Sequence, residues 1–572
     1  MIARTARRIA GQFKHVGLHR SSHEPRRPEP DRESLQQELE RLRETVLERG
    51  ERIAELEKQV ERQEKQIGEQ EKQIGEQKKQ IGEQEKRIGE QVQEIAEAEK
   101  KIADLERQLA LRQRNSTNSS KPPSSDGLAG PQRPRGSANP KRSKSRRKPG
   151  GQKGHPGHFR SLVPPEQVHQ VVDLFPDHCQ CCQQALPAEP AQGVIPDEPR
   201  RHQVIELPAL EPHITEYRMH KTVCGACGEV TQAALPPDVQ GHFGPKLTAL
   251  IAYMTVVCRV PRRLVRSFLE SVLGICLSLG STQKAWEESS AAVAEPYHEL
   301  EQALPRQPVL NVDETGSRTN GDKRWLWAFV APGFVFFTIV QHRSRDVLRR
   351  LLGLNFAGVL CCDRFSVYVT YFEEEDFPGL MQFCWSHFKR NLLGALESVQ
   401  GRGAKRFCQQ ALDLQRRLFR LWYRFRGGSS VRGSPLSREQ LLRRSIPLQK
   451  KFFALGQRYL DCAETEVGNL ARALFEHNQK FFTFLEEEGV EPTNNSAERA
   501  QRPAVQWRKT SFGNRSPEGE LAVSRLLTVT QTCRMQKRNV LAYLGQAIEC
   551  YRQNQPVPSL LPTQGLITGD CR

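Results

Sequence analysis

The chain has 572 residues and a formal net charge of +18, so it is too long for one compact domain. A positive surplus of this size indicates a polyanionic partner, either nucleic acid or an anionic membrane surface. The longest apolar run, residues 325–340, is broken by Pro332 and Gly333 and is too short to span a membrane. Fifteen cysteines, an odd number in a long chain, favour a reducing compartment over a disulfide framework.

Residues 1–34 are predicted to be a basic disordered tail, and residues 35–112 carry a seven-residue repeat. The a positions are aliphatic from Leu39 to Leu109, whereas the central d positions, from Gln63 to Gln91, are glutamine. An unbroken aliphatic seam of period seven predicts a coiled coil. We therefore expect the chain to self-associate here, and the polar d positions leave the number of strands open.

Residues 113–165 form a linker rich in Ser, Pro, Gly and basic residues, including NSTNSSKPPSSDG and ANPKRSKSRRKPGGQKGHPGH. Such a composition cannot build a hydrophobic core, so the linker is predicted to be disordered. It is either a solubilising tether or a segment that lies along DNA phosphates and releases their counterions.

Two C-x-x-C pairs lie within residues 166–240, and thiolates at this spacing indicate a structural zinc site. The predicted zinc ligands are Cys179, Cys182, Cys224 and Cys227. His178 and Cys181 flank the first pair and leave its ligand choice open. The long spacing predicts a β-rich chain between the pairs. Adventitious or redox-active cysteines are the alternative to zinc.

Residues 241–300 are predicted to form three helices, the last with an N-cap at Ser281, in a helix-turn-helix-like unit. Three arginines in the second helix are candidates for contacts with DNA phosphates: Arg262, Arg263 and Arg266. An ordinary helical subdomain with solvated arginines is the alternative.

Residues 301–525 contain a strand, a hairpin, an amphipathic helix and another strand. The first strand is predicted to end at Asp313 and the last at Asp363. If these two strands pair in parallel, both carboxylates lie side by side. Adjacent carboxylates repel each other, so their natural use is to bind divalent cations.

The stretch PTNNSAERAQRPAVQWRK, residues 492–509, supplies a third acid, Glu498. Either Asn495 and Glu498 form a capping pair at a helix start, or Glu498 is a metal ligand. Three acids that bind two Mg²⁺ or Mn²⁺ ions fit two-metal phosphoryl transfer. The cations expected to contact DNA around Glu498 are Arg502, Arg508 and Lys509.

A basic helical insertion is predicted at about residues 390–490, and residues 526–572 are a C-terminal helix and tail. The stretch FCWSHFKR, residues 383–390, precedes the insertion. Its polar residues are candidates for contacts with DNA or the scissile phosphate: His387, Lys389 and Arg390. A structural hydrogen bond is the alternative for His387.

Seven motifs occur in one order between about residues 35 and 545: NSSKPPSSD, RRKPGGQKGHPGH, the paired C-x-x-C, NVDET, FAGVLCCDRFSVY, FCWSHFKR and TNNSAERAQRPAVQWRKTSFGNRS. Together they resemble the transposases of the insertion sequence 66 family, which are DDE transposases. The resemblance implies a ribonuclease-H-like core with a metal triad at Asp313, Asp363 and Glu498. It also implies a leucine zipper, a zinc-binding domain and binding to terminal inverted repeats. Arg364-Phe365 departs from the expected small-then-aromatic pair.

The predicted fold class is therefore multidomain: coiled coil, small zinc domain, helical region, and an α/β ribonuclease-H-like core with a helical insertion. The predicted protein is a cytoplasmic, nucleoid-associated transposase that acts on double-stranded DNA. Companion proteins encoded by the same element are further candidate partners. A zinc-containing DNA-binding regulator and a metal-dependent nuclease without strand transfer are the alternatives.

Overall fold

The structure, a computed structural model, describes residues 32–119, 161–186, 200–373, 377–427, 434–511 and 513–562. The predictions for the tail up to residue 31 and for linker residues 120–160 lie outside the described residues. The chain divides into two compact units, Met1–Asp104 and Leu105–Arg572. No helix among the described residues is both long enough and apolar enough to cross a membrane.

A single helix, α1, spans Arg32–Arg112 and confirms the predicted helical N-terminal region. The aliphatic a-position side chains that the structure describes are exposed; Ile67 and Ile88, for example, expose 54% and 59% of their surface. Apolar side chains in such a row are stable in water only when a partner covers them. The helix therefore presents an apolar seam, and the coiled coil itself stays a prediction.

The region with the cysteine pairs has little regular structure. Two short strands, β1 (Lys221–Val223) and β2 (Val230–Gln232), form an antiparallel hairpin. None of the described residues between 161 and 243 is buried. The expectation of a β-rich chain between the pairs is wrong for the described residues, because only β1 lies there. These exposed side chains supply no hydrophobic core that would hold a sheet together.

Four helices follow: α2 (Pro245–Val256), α3 (Arg262–Leu273), α4 (Leu279–Ala292) and α5 (Ala294–Ala303). The expected cap at Ser281 is wrong, because α4 begins earlier and Ser278 Oγ accepts the Ser281 backbone N–H at 3.0 Å. Helices α2 and α4 pack against two C-terminal helices, α14 (Pro517–Met535) and α15 (Val540–Arg552). Arg552 Nε donates to Glu288 Oε1 at 2.6 Å and fixes α15 to α4.

A five-stranded sheet lies at the centre of the larger unit. Its strands are β3 (Val309–Thr319), β4 (Asp322–Val330), β5 (Val335–Val340), β6 (Val359–Cys362) and β7 (Leu380–Phe383). The spatial order is β5-β4-β3-β6-β7, with β3 antiparallel to β4 and parallel to β6. The predicted parallel pairing is confirmed. The predicted end of β3 at Asp313 is wrong, because pairing with β4 continues to Thr319.

Helices cover the sheet and fill the sequence between the acids. Helices α6 (Arg345–Leu352) and α7 (Ser366–Phe372) flank β6. The predicted helical insertion is confirmed as α8 (Trp385–Ser398), α9 (Arg402–Phe425), α10 (Arg438–Arg458), α11 (Thr465–Glu476) and α12 (Thr483–Glu486). Trp385 is fully buried among Phe388, Phe452 and Phe481. This aromatic cluster fixes the start of α8 beside β7.

Hydroxyl side chains cover both edges of the sheet. On β5, Thr532 Oγ1 accepts the Val335 N–H at 3.1 Å, and Thr528 Oγ1 accepts the Phe337 N–H at 2.9 Å. On β7, Thr483 Oγ1 donates to the Met381 carbonyl at 2.6 Å. These contacts satisfy backbone groups that an open edge would leave unpaired.

The first part of the linker, residues 113–119, docks onto α8 and α11, so the prediction of disorder is wrong for these residues. Asn118 is only 5% exposed, and its side chain donates to Glu397 of α8. Its carbonyl lies so close to Gly394 that a Cβ there would come within 2.0 Å of it. Arg114 forms an ion pair with Glu466 of α11. Paired polar groups replace the missing apolar core in this segment.

Candidate active site

The two predicted aspartates meet at the carboxyl end of the parallel strand pair. The β3–β6 register pairs Asn311 with Cys361, and two further residues bring Asp363 beside Asp313. The pKa of Asp313 lies well above its usual range, because burial disfavours its charged form and Glu314, Asp363 and Glu498 add repulsion. Burial also raises the pKa of Asp363, while the Phe365 backbone N–H, 2.9 Å away, opposes the shift.

The helix α13 (Asn495–Ser511) brings Glu498 near enough to Asp313 for their charges to repel each other. Asn494, just before the helix, donates from Nδ2 to the Val312 carbonyl at 2.6 Å. Its backbone N–H lies 3.1 Å from Cys384 Sγ. These contacts fix the helix start beside β3. The predicted capping pair is wrong, because Asn495 is already helical and the Glu498 N–H bonds to the Asn494 carbonyl.

Two residues of α8 contact Glu498. Arg390 NH2 donates to Glu498 Oε1 at 2.5 Å, and His387 Nε2 lies 3.5 Å from the same oxygen. Burial and the Arg390 charge lower the pKa of His387 to about 3, so the imidazole is neutral near pH 7. Its Nδ1 is buried and has no hydrogen-bond partner among the described residues. Lys389 is exposed and does not share this contact.

Sequence reasoning gave no role to Glu314, which has only 1% of its side chain exposed. Its Oε1 accepts from Arg343 Nε at 2.6 Å, and its Oε2 accepts from the Tyr368 hydroxyl of α7. Burial and Asp363 raise its pKa, and Arg343 opposes the shift. One signal was available in the sequence. Leu310, Val312 and Glu314 lie on the same face of β3, so an acidic side chain occupies a position on a face that is otherwise apolar.

Arg364, which departs from the family pattern, packs against α8. Its guanidinium lies 5.6 Å from the Phe388 ring centroid. Burial lowers its pKa to about 10, and Asp363 opposes the shift. Its NH1 is buried without a hydrogen-bond partner among the described residues. The arginine at position 364 therefore adds a cation beside Asp363 and leaves all three predicted metal-binding acids in place.

The remaining predicted DNA contacts fall into two groups. Four side chains are exposed: Arg263, Arg266, Arg502 and Lys509. The other two are engaged in packing. The Arg262 guanidinium lies 5.7 Å from the Trp286 ring centroid. Arg508 NH1 lies 3.4 Å from Thr315 Oγ1 of β3, and burial lowers the Arg508 pKa.

The two cysteine pairs adopt the same backbone turn. Cys179 N bonds to Gln184 O at 2.9 Å, and Cys224 N bonds to Glu229 O at 2.8 Å. The residue after each pair has a positive φ, 60° at Gln183 and 73° at Gly228. This equivalence matches Cys179 and Cys182 with Cys224 and Cys227, and it leaves Cys181 outside the pattern. Backbone N–H groups lower the pKa values of the two leading thiols, Cys179 and Cys224.

Both donor sets suit the predicted ions. Carboxylate oxygens suit Mg²⁺ or Mn²⁺, and thiolates suit Zn²⁺. A cation at the acids would also relieve the repulsion that raises the Asp313 pKa. Within the described ranges, however, no three His, Cys, Asp or Glu side chains are gathered closely enough to hold a metal ion. The metal ligands stay predictions.

Comparisons with known proteins find two matching families and two similar proteins. Residues 240–521 match the family described as Transposase IS66 family, and residues 76–161 match a family of unknown function, DUF6444. Two uncharacterized proteins of Sinorhizobium fredii (strain NBRC 101917 / NGR234) are similar. One, y4qI, is 24% identical across 42% of this chain and 46% of its own length. The other, y4hP, is 23% identical across 66% of this chain and 71% of its own length.

The family match spans the helical region, the sheet and all three acids. Its boundaries enclose Asp313, Asp363 and Glu498 together with the α8 residues that contact Glu498. Residues 240–521 of the chain therefore belong to the Transposase IS66 family.

Proposed function

We propose that the protein is a DDE-type DNA transposase that binds the inverted repeats at its element's ends, cleaves the DNA and transfers the strands. The observation that carries the proposal is the meeting of Asp313 and Asp363 on parallel strands, with Glu498 brought to them by α13. The β5-β4-β3-β6-β7 strand order supports a ribonuclease-H-like core. The family match supports the same reaction.

In this proposal Asp313, Asp363 and Glu498 hold two Mg²⁺ or Mn²⁺ ions. The bound ions would supply Lewis-acid stabilisation of the attacking and leaving oxygens. The neutral His387 borders Glu498 without adding charge. Two fully buried aromatic residues of α8, Trp385 and Phe388, anchor the helix that carries His387 and Arg390.

Exposed cations would hold the DNA, and α1 would pair the subunits. Lys389, Arg263, Arg266, Arg502 and Lys509 are available for phosphates, and binding through them is expected to weaken steeply with salt. The apolar seam of α1 supports a coiled coil that brings two element ends together. We place this activity in the cytoplasm, at the nucleoid, and companion proteins of the element remain candidate partners.

Transposition of a marked element in cells tests the function, with the intact protein and Glu498→Gln compared at equal expression. Gln keeps the size of Glu but is a poor ligand for a hard cation. We expect transposition to disappear while binding to the element ends persists. Glu488→Gln is the matched control, because Glu488 is exposed. Normal transposition by Glu498→Gln would refute the triad, and DNA cleavage without joining by the intact protein would indicate a nuclease.

We also propose that Zn²⁺ joins the two cysteine turns. Cys182→Ser is expected to lower the zinc content of the purified protein, because a matched turn loses one of its thiolates. Cys181→Ser is the control and should keep the zinc. Elemental analysis by mass spectrometry measures both variants. Equal zinc loss in the two variants would contradict the ligand assignment.

A further inference from the structure

Arg390 forms an ion pair with Glu498, one of the three predicted metal-binding acids. Its NH2 donates to Glu498 Oε1 at 2.5 Å, and its side chain is only 15% exposed. Its guanidinium therefore partly neutralises the Glu498 carboxylate.

This contact competes with metal binding at the same oxygen. The guanidinium occupies one lone-pair direction of Glu498 Oε1, and its charge repels a divalent cation that approaches the same oxygen. Two divalent cations carry four positive charges against three carboxylates, so a further buried cation at Glu498 would be repelled. Metal binding should therefore weaken the Arg390–Glu498 pair.

The structure allows the side chain to move without its helix. The α8 backbone is held by buried Trp385, whose Nε1 donates to the Phe481 carbonyl at 2.7 Å. The Arg390 side chain has one further weak contact, from Nε to the Ser386 carbonyl at 3.4 Å. The displaced guanidinium needs a new anion, and a DNA phosphate suits its paired N–H donors.

We propose that Arg390 holds Glu498 in the DNA-free protein and exchanges it for a DNA phosphate when the metal ions bind. Arg390 is thus a positioning residue that competes with the metal until DNA arrives. The inference rests on the proposed function, because it takes Glu498 as a metal ligand. It predicts that DNA and divalent cations strengthen each other's binding.

The test measures Mn²⁺ affinity of the full-length protein by electron paramagnetic resonance, first without DNA. Arg390→Gln is expected to bind Mn²⁺ on the order of tenfold more tightly than the intact protein, because the competing cation is gone. Adding a short duplex of arbitrary sequence should raise the affinity of the intact protein and raise that of Arg390→Gln much less. Arg390→Lys, which keeps the charge, should bind more like the intact protein.

Arg499→Gln is the matched control. Arg499 is exposed beside Glu498 on the same helix, so its removal changes the net charge equally without freeing Oε1. The same tenfold gain in Mn²⁺ affinity in Arg499→Gln would show that the effect comes from net charge alone, and it would overturn the inference. Unchanged or weaker Mn²⁺ binding by Arg390→Gln, with circular dichroism confirming its fold, would also overturn it. If Arg390→Gln does not fold, Arg390→Met replaces it, and unchanged or weaker Mn²⁺ binding by Arg390→Met overturns the inference.

These outcomes are distinct from a failure of the proposed function. If the intact protein binds no Mn²⁺ at the triad, so that Glu498→Gln has no effect on affinity, the metal assignment itself fails. If Glu498→Gln weakens Mn²⁺ binding and Arg390→Gln does not strengthen it, only the exchange fails.

Discussion

Asp313→Asn is expected to abolish DNA cleavage while raising the free energy of unfolding measured without metal. The substitution removes a hard anionic ligand, which should slow cleavage by at least ~10³-fold if the ions supply several kcal/mol of transition-state stabilisation. It also removes a buried charge that Glu314, Asp363 and Glu498 repel. Each unit by which folding raises a carboxyl pKa costs about 1.4 kcal/mol at a pH where the group is ionised.

The sign of this effect follows from proton binding. Asp313, Glu314 and Asp363 all have pKa values raised on folding. Between the ordinary carboxyl pKa, about 4, and the raised values, the folded protein binds more protons than the unfolded chain. The contribution of these groups to the free energy of unfolding is therefore fully present below about pH 4. It is lost as the pH rises through the pKa values that the three carboxyl groups have in the folded protein. The free energy of unfolding of Asp313→Asn should fall less steeply with rising pH than that of the intact protein.

Urea denaturation in EDTA across this pH range measures the stability, and cleavage of a labelled element end in Mg²⁺ measures the activity. Asp322→Asn is the control, since 72% of the Asp322 side chain is exposed. It should change neither quantity. Stability curves that stay parallel for the intact protein and Asp313→Asn would show that folding does not raise the Asp313 pKa. Retained cleavage would remove Asp313 from the triad.

Arg343→Met is expected to lower the free energy of unfolding by about 3 kcal/mol, because it leaves Glu314 buried without its ion-pair partner. Glu314 has 1% and Arg343 29% of its side chain exposed, so water cannot replace the lost contact fully. The Met side chain keeps some packing where the guanidinium lies 3.6 Å from the Phe365 centroid. Tyr368 still donates to Glu314, which limits the loss.

A double-mutant cycle with Glu314→Gln separates charge from packing. Arg343→Met combined with Glu314→Gln should recover much of the lost stability, because no bare carboxylate remains. Arg349→Met is the control, since its contact with Asp346 is exposed and 3.8 Å long, and such pairs contribute about 0–1 kcal/mol. Additive losses in the double variant would mean that Arg343 acts through packing alone.

Local patterns predicted much of the fold. The apolar strands, the amphipathic helix between them and the long helix α1 each carry their own periodicity, so the sequence shows them without tertiary information. The parallel pairing of the two acid-bearing strands followed from the hairpin and helix that separate them. These same elements bring Asp313 and Asp363 together, so that half of the candidate site could be predicted.

Long-range contacts could not be predicted in this way. The Glu314 network joins residues 29 and 54 positions apart, and the Arg390–Glu498 pair spans 108. No periodicity encodes such a pair. Shifts of a few residues in the start of a helix could not be predicted either. Ser278 and Ser281 are both good caps, and the choice depends on where the chain enters the helix. The docked residues 113–119 have a composition typical of a linker, and only the acceptors on α8 and α11 order them.

The covered edges of the sheet affect whether the partly unfolded protein aggregates. An edge strand is a template on which strands of other molecules can add, and this is how amyloid-like fibres grow. Here Thr528 and Thr532 of α14 occupy the hydrogen-bonding groups of β5. Partial detachment of this C-terminal helix would expose a strand with the apolar sequence VFFTIV. Truncation within α14 should therefore promote fibre formation through the exposed edge of β5.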